Sequence, residues 1–507
     1  MLRFAVHQSG KAAATVDLTG AYLVGGDGVP VRADIEFKNG EIVCRKRAAG
    51  PAALALLWPT NGGRVLLETT RLPERDKPYI LQLELLRGRL MRIAQKREDW
   101  GLHDFEGTEE IAKQVDHARD LLIEGLQAES PASAATVTQR GLMVSMLAGE
   151  ALTTFHAEIF LGRRKQVGGF PKRLFGVQVE VGDREVEEAQ RKHLKNVADF
   201  ITLPFIWRDI EPREKEFHWE AYDRWVDWAV KNRIPIRGGN LVAFNTKNIP
   251  DWLYIWEHDF ETVRDLTYEH IRRIIERYGQ HIAIWDVISG IHAVNCFSFN
   301  FEQLMELTRM STALTKKLAP RSTAVINIVT PWGEYYATNQ RTIPPLLYAE
   351  MIVQSGVNFD AFGLECCLGV GVEGMMVRDL LQISSLIDRF AGFGKPVHLT
   401  AVGAPSGGTP DTRDAWGGKH AAPAGGAWHK DWTEEIQRAW MRRVYHIALS
   451  KPFVEAISWR DLCDNASHML PHGGLINAEG APKLAYQELT AIRREMSADP
   501  RRAQTNV

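Results

Sequence analysis

A chain of 507 residues, 45% hydrophobic and 24% charged, has the composition of an ordinary globular protein and is long enough for two or three domains. A net charge of -2 leaves no field to gather nucleic acid or an anionic membrane, and no apolar run reaches the roughly 18–20 residues of a membrane helix. The start, MLRFAVHQSGKAAATVDL, lacks a basic, apolar and small-residue signal pattern, and the five cysteines are few and odd in number, so a cytoplasmic protein with reduced thiols is expected.

Residues 1–105 carry short apolar stretches broken by Gly, Pro and Asn, from VRADIEFKNGEIVC through LALLWPTNGGRVLLETT to YILQLELLRGRLMRIAQ. Lys-Asn-Gly at 38–40 and Asn-Gly-Gly at 61–63 are turn signals between strand-like runs. The expectation is a small β-sandwich resembling a carbohydrate-binding module. Over 106–168 the period changes. EEIAKQVDHARDLLIEGLQ and GLMVSMLAGEALTTFHAEIFLGRRK space their apolar residues helically, with Ser130-Pro131 as a break, which predicts a helical hairpin linking two domains.

From 169 to 497 strand and helix patterns alternate. The strands are LFGVQVE, FITLPFI, IRGGNLVAF, IAIWDVISG, TAVINIVT, FDAFGLECCL, PVHLTAV and VEAISWRDL, each followed by an amphipathic segment. In RDLLQISSLIDRF, for example, Leu380, Leu381, Ile383, Leu386, Ile387 and Phe390 form one stripe. Eight such units predict an α/β (β/α)8 TIM barrel whose chemistry sits where the strands end. Residues 498–507 read as a disordered tail.

Three features of the barrel bear on chemistry. GVGVEG at 369–374 fits a dinucleotide-binding glycine pattern, but the next strand ends without the acidic residue that pattern requires, so no cofactor is expected. His292, Cys296, Cys367, His398, Cys463, His468 and His472 lie near strand ends without standard ligand spacing, so no metal is expected. A Gly/Pro-rich insert at 403–432 is either a lid that carries His420, Trp428 and His429 over the barrel mouth or a disordered excursion.

In order along 170–495, FGVQVE, WRDIEP with FHWEAYDRWVDWAVKNRIPIRGGNLV, WDVISG, FGLECCL, HLTAVG and ISWRDLCDNASHMLPHGGLINAEGAPKLAYQEL resemble glycoside hydrolase family 10, the xylanase family. The resemblance implies a retaining reaction with two glutamates whose carboxyls stand about 5–5.5 Å apart. It places Gly290, preceded by Ser289, at the acid/base position and Ala401 at the nucleophile position. It also puts Gly239, Ala243-Phe244, Ile206 and Glu365-Cys366-Cys367 where the family carries sugar-gripping groups. The ancestral mechanism is therefore expected to be lost.

Glu365, Glu334 and Asp461 follow barrel strands and are candidates for a relocated catalytic pair, Glu365 with either of the others. The alternative is that each is a paired structural carboxylate. Trp207, Asn240, Asn245, Trp332, His398 and Trp459 are candidate sugar contacts, the aromatics supplying flat faces for a ring. Three readings stay open. The first is a glycan- or oligosaccharide-binding protein without xylanase activity. The second is a glycosidase using relocated carboxylates. The third is an assembly protein on a hydrolase scaffold, with homo-oligomerisation as its expected partner interaction.

Overall fold

The computed structural model describes residues 1–103, 105–465 and 467–497; the tail expected at 498–507 lies outside them. Eight parallel strands close a barrel in chain order: Phe175–Gln178, Phe200–Pro204, Ile236–Gly239, Ile282–Ser289, Thr323–Ile328, Ala361–Cys367, Val397–Gly403 and Val454–Trp459. Closure comes from the first strand pairing with the eighth, Val177 opposite Trp459. The expected helices follow each strand. Leu380–Ala391 shows why: Asp379 caps it in a box with Gln382, and the six apolar residues of its stripe are all buried. Register irregularities fall within several strands, between Asp286 and Ile288, Leu364 and Glu365, and Leu399 and Val402. Such bulges re-aim side chains at the rim where a site is built.

The N-terminal region has two larger sheets, beside the short hairpin of His7–Gln8 with Lys11–Ala12. One contains Leu2–Ala5, Ala33–Lys38, Glu41–Lys46 and Tyr79–Ile80; the other contains Tyr22–Gly25, Pro30–Val31, Ala52–Thr60 and Gly63–Glu68. Both expected turns form. Asn39 and Gly40 have φ of 52° and 79°, the left-handed geometry that joins a tight hairpin.

The β-region ends earlier than expected. YILQLELLRGRLMRIAQ holds only a two-residue strand, and Leu81–Asp99 is a helix. The alternation of Leu81, Leu83 and Leu85 reads as strand, but Leu86, Leu90 and Ile93 continue at helical spacing and bury the same face. Together with Glu109–Gln127 and Pro131–Val167 it makes three packed helices, of which the last two are the expected hairpin.

The insert at 403–432 is ordered and does not present Trp428 and His429 to the mouth. Ala427–Trp428 adds a strand to the second N-terminal sheet, pairing antiparallel with Gly63 and Arg64. Glycine permits this approach: a Cβ on Gly63 would lie 2.1 Å from the Ala427 carbonyl, and one on Gly426 would lie 2.3 Å from the Arg64 carbonyl. His429 Nε2 lies 3.0 Å from Glu150 on the long helix, and buried Asp411 anchors the insert's other end by accepting from His468 at 2.8 Å. The insert thus straps the N-terminal region to the barrel.

Candidate functional site

The fourth strand ends at Ser289 and is followed by Gly290, whose φ is +66°. A Cβ at this position would lie 2.8 Å from Val329 Cγ2, so backbone conformation and space both oppose a longer side chain. Ser289 before it is buried and its hydroxyl accepts a hydrogen bond from Asn327 Nδ2 at 2.9 Å. Ala401 on the seventh strand is 1% exposed and pairs in register with Glu365. Cys367, Val370, Met375 and Leu470 pack with it, bordered by Val372, Trp416 and Met469. Apolar side chains from three loops therefore fill the space over Ala401. Neither Gly290 nor Ala401 carries a group able to donate a proton or attack a sugar carbon.

Beside this apolar fill runs a polar belt. Asn327, on the fifth strand, donates from Nδ2 to Glu365 Oε1 at 2.8 Å as well as to Ser289, and its Oδ1 accepts from Thr400 Oγ1 at 2.6 Å. Arg460 Nη1 lies 4.0 Å from Glu365 Oε1. Glu365 keeps 14% of its side chain exposed, so its second oxygen has access to a polar partner at the rim. Asn327 was not among the residues expected at the site. Its signal is a lone amide at the tip of the otherwise apolar and β-branched run TAVINIVT.

Asp461, after the eighth strand, is buried and accepts from the Met469 amide at 2.8 Å. Burial raises its pKa, against the pull of Arg460. Arg460 thus sits in the fields of Glu365 and Asp461 together, and these two are the expected carboxylates that share one neighbourhood.

A third carboxylate joins them. Glu180, two residues past the first strand, is pushed up to about 7, chiefly by burial and then by Asp461 and Asp209. It lines a small cavity with Gln178, Gln190, Asp461, Cys463 and Ser467. Its backbone is held by Gln190 and by Trp225 Nε1, while its carboxylate makes no hydrogen bond among the described residues. Sequence reasoning passed over it although it ends FGVQVE.

Glu334 is not part of this group. It is buried against Arg378, which also reaches the Tyr22 hydroxyl of the N-terminal sheet at 3.3 Å. This carboxylate fastens two regions together and cannot partner Glu365.

Most of the expected sugar contacts are likewise elsewhere. Trp207 is buried, donates to Glu211 at 3.0 Å and stacks on His270 at 4.1 Å. Trp459 is fully buried and donates to the Gly473 carbonyl at 3.0 Å. His398 lies near the start of its strand, inside the barrel, 3.2 Å from Arg237 Nη1; Arg237 in turn pairs with Asp286. Trp332 faces a cleft at the N-terminal region, with Arg378 5.0 Å over its ring. The aromatic alternation that points side chains inward also buries them, because the small barrel's interior is packed.

Asn240 and Asn245 do lie past the third strand. Asn240 is half-buried with φ of +50° and its amide makes no hydrogen bond among the described residues. Asn245 caps its own loop by accepting from the Lys247 and Asn248 amides at 3.0 and 3.1 Å. Among the described residues no group of three metal-ligating side chains converges, and no helix is long and apolar enough to cross a membrane.

A family model for Glycosyl hydrolase family 10 matches residues 170–491, more than half of the chain and all eight barrel strands. The chain belongs to glycosyl hydrolase family 10.

The family 10 chain is similar to endo-1,4-beta-xylanase B of Thermotoga neapolitana, 22% identical over 265 residues, which are 52% of this chain and 68% of that one. It is also similar to endo-1,4-beta-xylanase A of Halalkalibacterium halodurans, 30% identical over 134 residues, 23% of this chain and 33% of that one. It therefore spans about two thirds of the first relative's length and about a third of the second's. Among solved structures, xylanase 10B of Thermotoga petrophila in complex with xylobiose is 17% identical, covering 64% of this chain and 95% of that one, with a TM-score of 0.47. Native xylanase 10B of Thermotoga maritima is 16% identical, covering 66% and 98%, also at 0.47.

Proposed function

We propose that this family 10 protein recognises a carbohydrate without performing the family's retaining hydrolysis. One observation supports the reading: the positions that the resemblance aligns with the family's glutamates hold Gly290 and Ala401, both buried, with apolar side chains packed over Ala401. A retaining reaction needs a proton donor and a nucleophile about 5–5.5 Å apart on either side of the bond, and neither residue supplies one. What remains at the rim suits hydrogen bonding to hydroxyls: Glu365 held by Asn327, Arg460 beside it, Asn240, and the half-buried Trp416 as a flat face. The ligand is an oligosaccharide or glycan, by the family's chemistry.

The test pairs titration calorimetry of the intact chain against an oligosaccharide panel with incubation of an aryl β-xylobioside. Saturable heat without aryl release is the expected result. No heat from any sugar would remove the recognition reading, and aryl release lost in Glu365→Gln would remove the non-hydrolytic one.

A second reading has a specific observation in its favour. A half-buried carboxyl pushed up to about 7 beside a second raised carboxyl is the electrostatic form of a general acid, and Glu180 with Asp461 has it. In that reading Glu180 protonates a leaving group and Asp461 or Glu365 acts opposite it. Aryl-glycoside turnover abolished by Glu180→Gln is its expected signature.

A further inference from the structure

A cleft of about 950 Å³ lies on the flank of the molecule, between the N-terminal sheet, the first and third helices and the barrel helix Leu380–Ala391. Its volume is in the range of small-molecule sites. One half is self-neutralised. Asp388 meets Lys451 at 2.5 Å and Lys96 at 3.2 Å, and Asp99 meets Lys96 at 3.1 Å, around the ring of Trp100.

The other half is not. Glu68 is the carboxylate among four guanidiniums, and its charge acts on all of them: Arg92, Arg71, Arg378 and Arg389. Arg92 takes it at 2.7 Å, and Arg378 is occupied by Glu334. Asp27, also on the cleft wall, spends an oxygen on the Val29 amide of its own turn. Arg71 and Arg389 are left with no carboxylate within 4 Å among the described residues; Arg71 has only the Gly25 carbonyl, through Nε. The two tips converge. Their Nη2 atoms lie 3.3 and 3.9 Å from the position a Cβ on Gly28 would take. Two guanidiniums aimed at one glycine, in a half-enclosed cleft, repel each other until an anion joins them.

We propose that this cleft is a ligand site for a small organic molecule bearing an oxyanion. Arg71 and Arg389 clamp the oxyanion beside Gly28, and Trp332, Leu386 and Phe453 flank the organic part. Forked guanidiniums match the planar oxygen pairs of carboxylate, sulfate and phosphate. The cleft lies apart from the barrel mouth, so its occupancy stands or falls independently of carbohydrate recognition there. A ligand seated here touches the N-terminal sheet and a barrel helix at once and so ties the two together.

The test is titration calorimetry of the full chain with inorganic phosphate, sulfate, glucuronate and glucose 6-phosphate, at matched low ionic strength with chloride as control. The expected result is that one organic anion binds more tightly than inorganic phosphate. Arg389→Gln or Arg71→Gln weakens it at least about tenfold, while Arg389→Lys retains part of it. Preference for glucose 6-phosphate identifies the phosphate source, and preference for glucuronate the carboxylate source. Both arginines are exposed, so the variants are expected to fold; Ser385→Glu, which places a carboxylate on the cleft wall, blocks binding without touching either arginine. No heat from any anion beyond the chloride control overturns the proposal, as does equal binding by the native chain and by all three charge-altering variants.

Discussion

Glu180 provides a quantitative test of the barrel's electrostatics. Its carboxyl moves from an ordinary 4.5 to about 7 because burial, Asp461 and Asp209 all disfavour its charge. A carboxyl whose folded value lies above its unfolded one holds its proton more tightly in the fold. Its stabilising contribution is therefore fully present below pH 4.5 and is lost as the pH rises through 7. At about 1.36 kcal/mol per pH unit, the charged carboxylate is held at pH 8 against a penalty of about 3 kcal/mol. Glu180→Gln removes the charge and keeps the backbone bonds to Gln190 and Trp225. The variant is expected to equal the native chain near pH 4 and to exceed it by about 3 kcal/mol at pH 8. For a barrel of roughly 330 residues, with a melting entropy of about 2 cal/mol/K per residue, that is a rise of about 4 °C. Thermal melts from pH 4 to 8.5 followed by differential scanning fluorimetry measure it. An offset that is the same at every pH, or a variant that melts lower at pH 8, would refute the reasoning.

Further predictions concern the joint between the regions and the acid limb. Gly426→Ala forces a Cβ 2.3 Å from the Arg64 carbonyl at a φ of +95°, so the strap should detach, with new protease cleavage inside 403–432 in a limited-proteolysis time course. Arg378→Met strands Glu334 in a buried site and should cost about 3–5 kcal/mol in denaturant melts; the double variant Arg378→Met/Glu334→Gln should recover much of that loss. His270, fully packed under Trp207, is pushed down to about 3 by burial, so its neutral ring stabilises the fold above pH 6.5 and that contribution is lost as the pH falls toward 3. His270→Gln should flatten that part of the acid limb in melts between pH 3 and 6.5, after allowance for its own loss of packing.

The barrel was legible because each of its strands is a short apolar run followed by a helix-spaced stripe, and that pattern survives at low identity to the relatives. The stripe from Leu380 to Phe390 is buried as the spacing implies. The joint was not legible. Trp428 reads as a loop aromatic until a strand from the other end of the chain pairs with it, and Glu334 reads as a rim carboxylate until Arg378 and Tyr22 meet it. Long-range partners of this kind leave no local period. The first helix was misread for a different reason: Leu81, Leu83 and Leu85 alternate, and the helical spacing emerges only from Leu86 onward. At the site, Glu365 and Asp461 share the field of Arg460, whereas Trp207 and Trp459 turned inward so fully that the core took them. Asn327 and Glu180 were visible in the sequence as polar residues at strand tips, but only the closed barrel shows what they face.

The central claim is the proposal that Gly290 and Ala401, at the positions the resemblance gives to the family's glutamates, end the family's reaction at this barrel. The direct measurement is prolonged incubation of the purified chain, at high concentration, with an activated aryl β-xylobioside from pH 4 to 9, following aryl release beside a no-protein control. The account predicts release indistinguishable from the control at every pH. Release above the control that disappears in Glu365→Gln, Asp461→Asn or Glu180→Gln would contradict it.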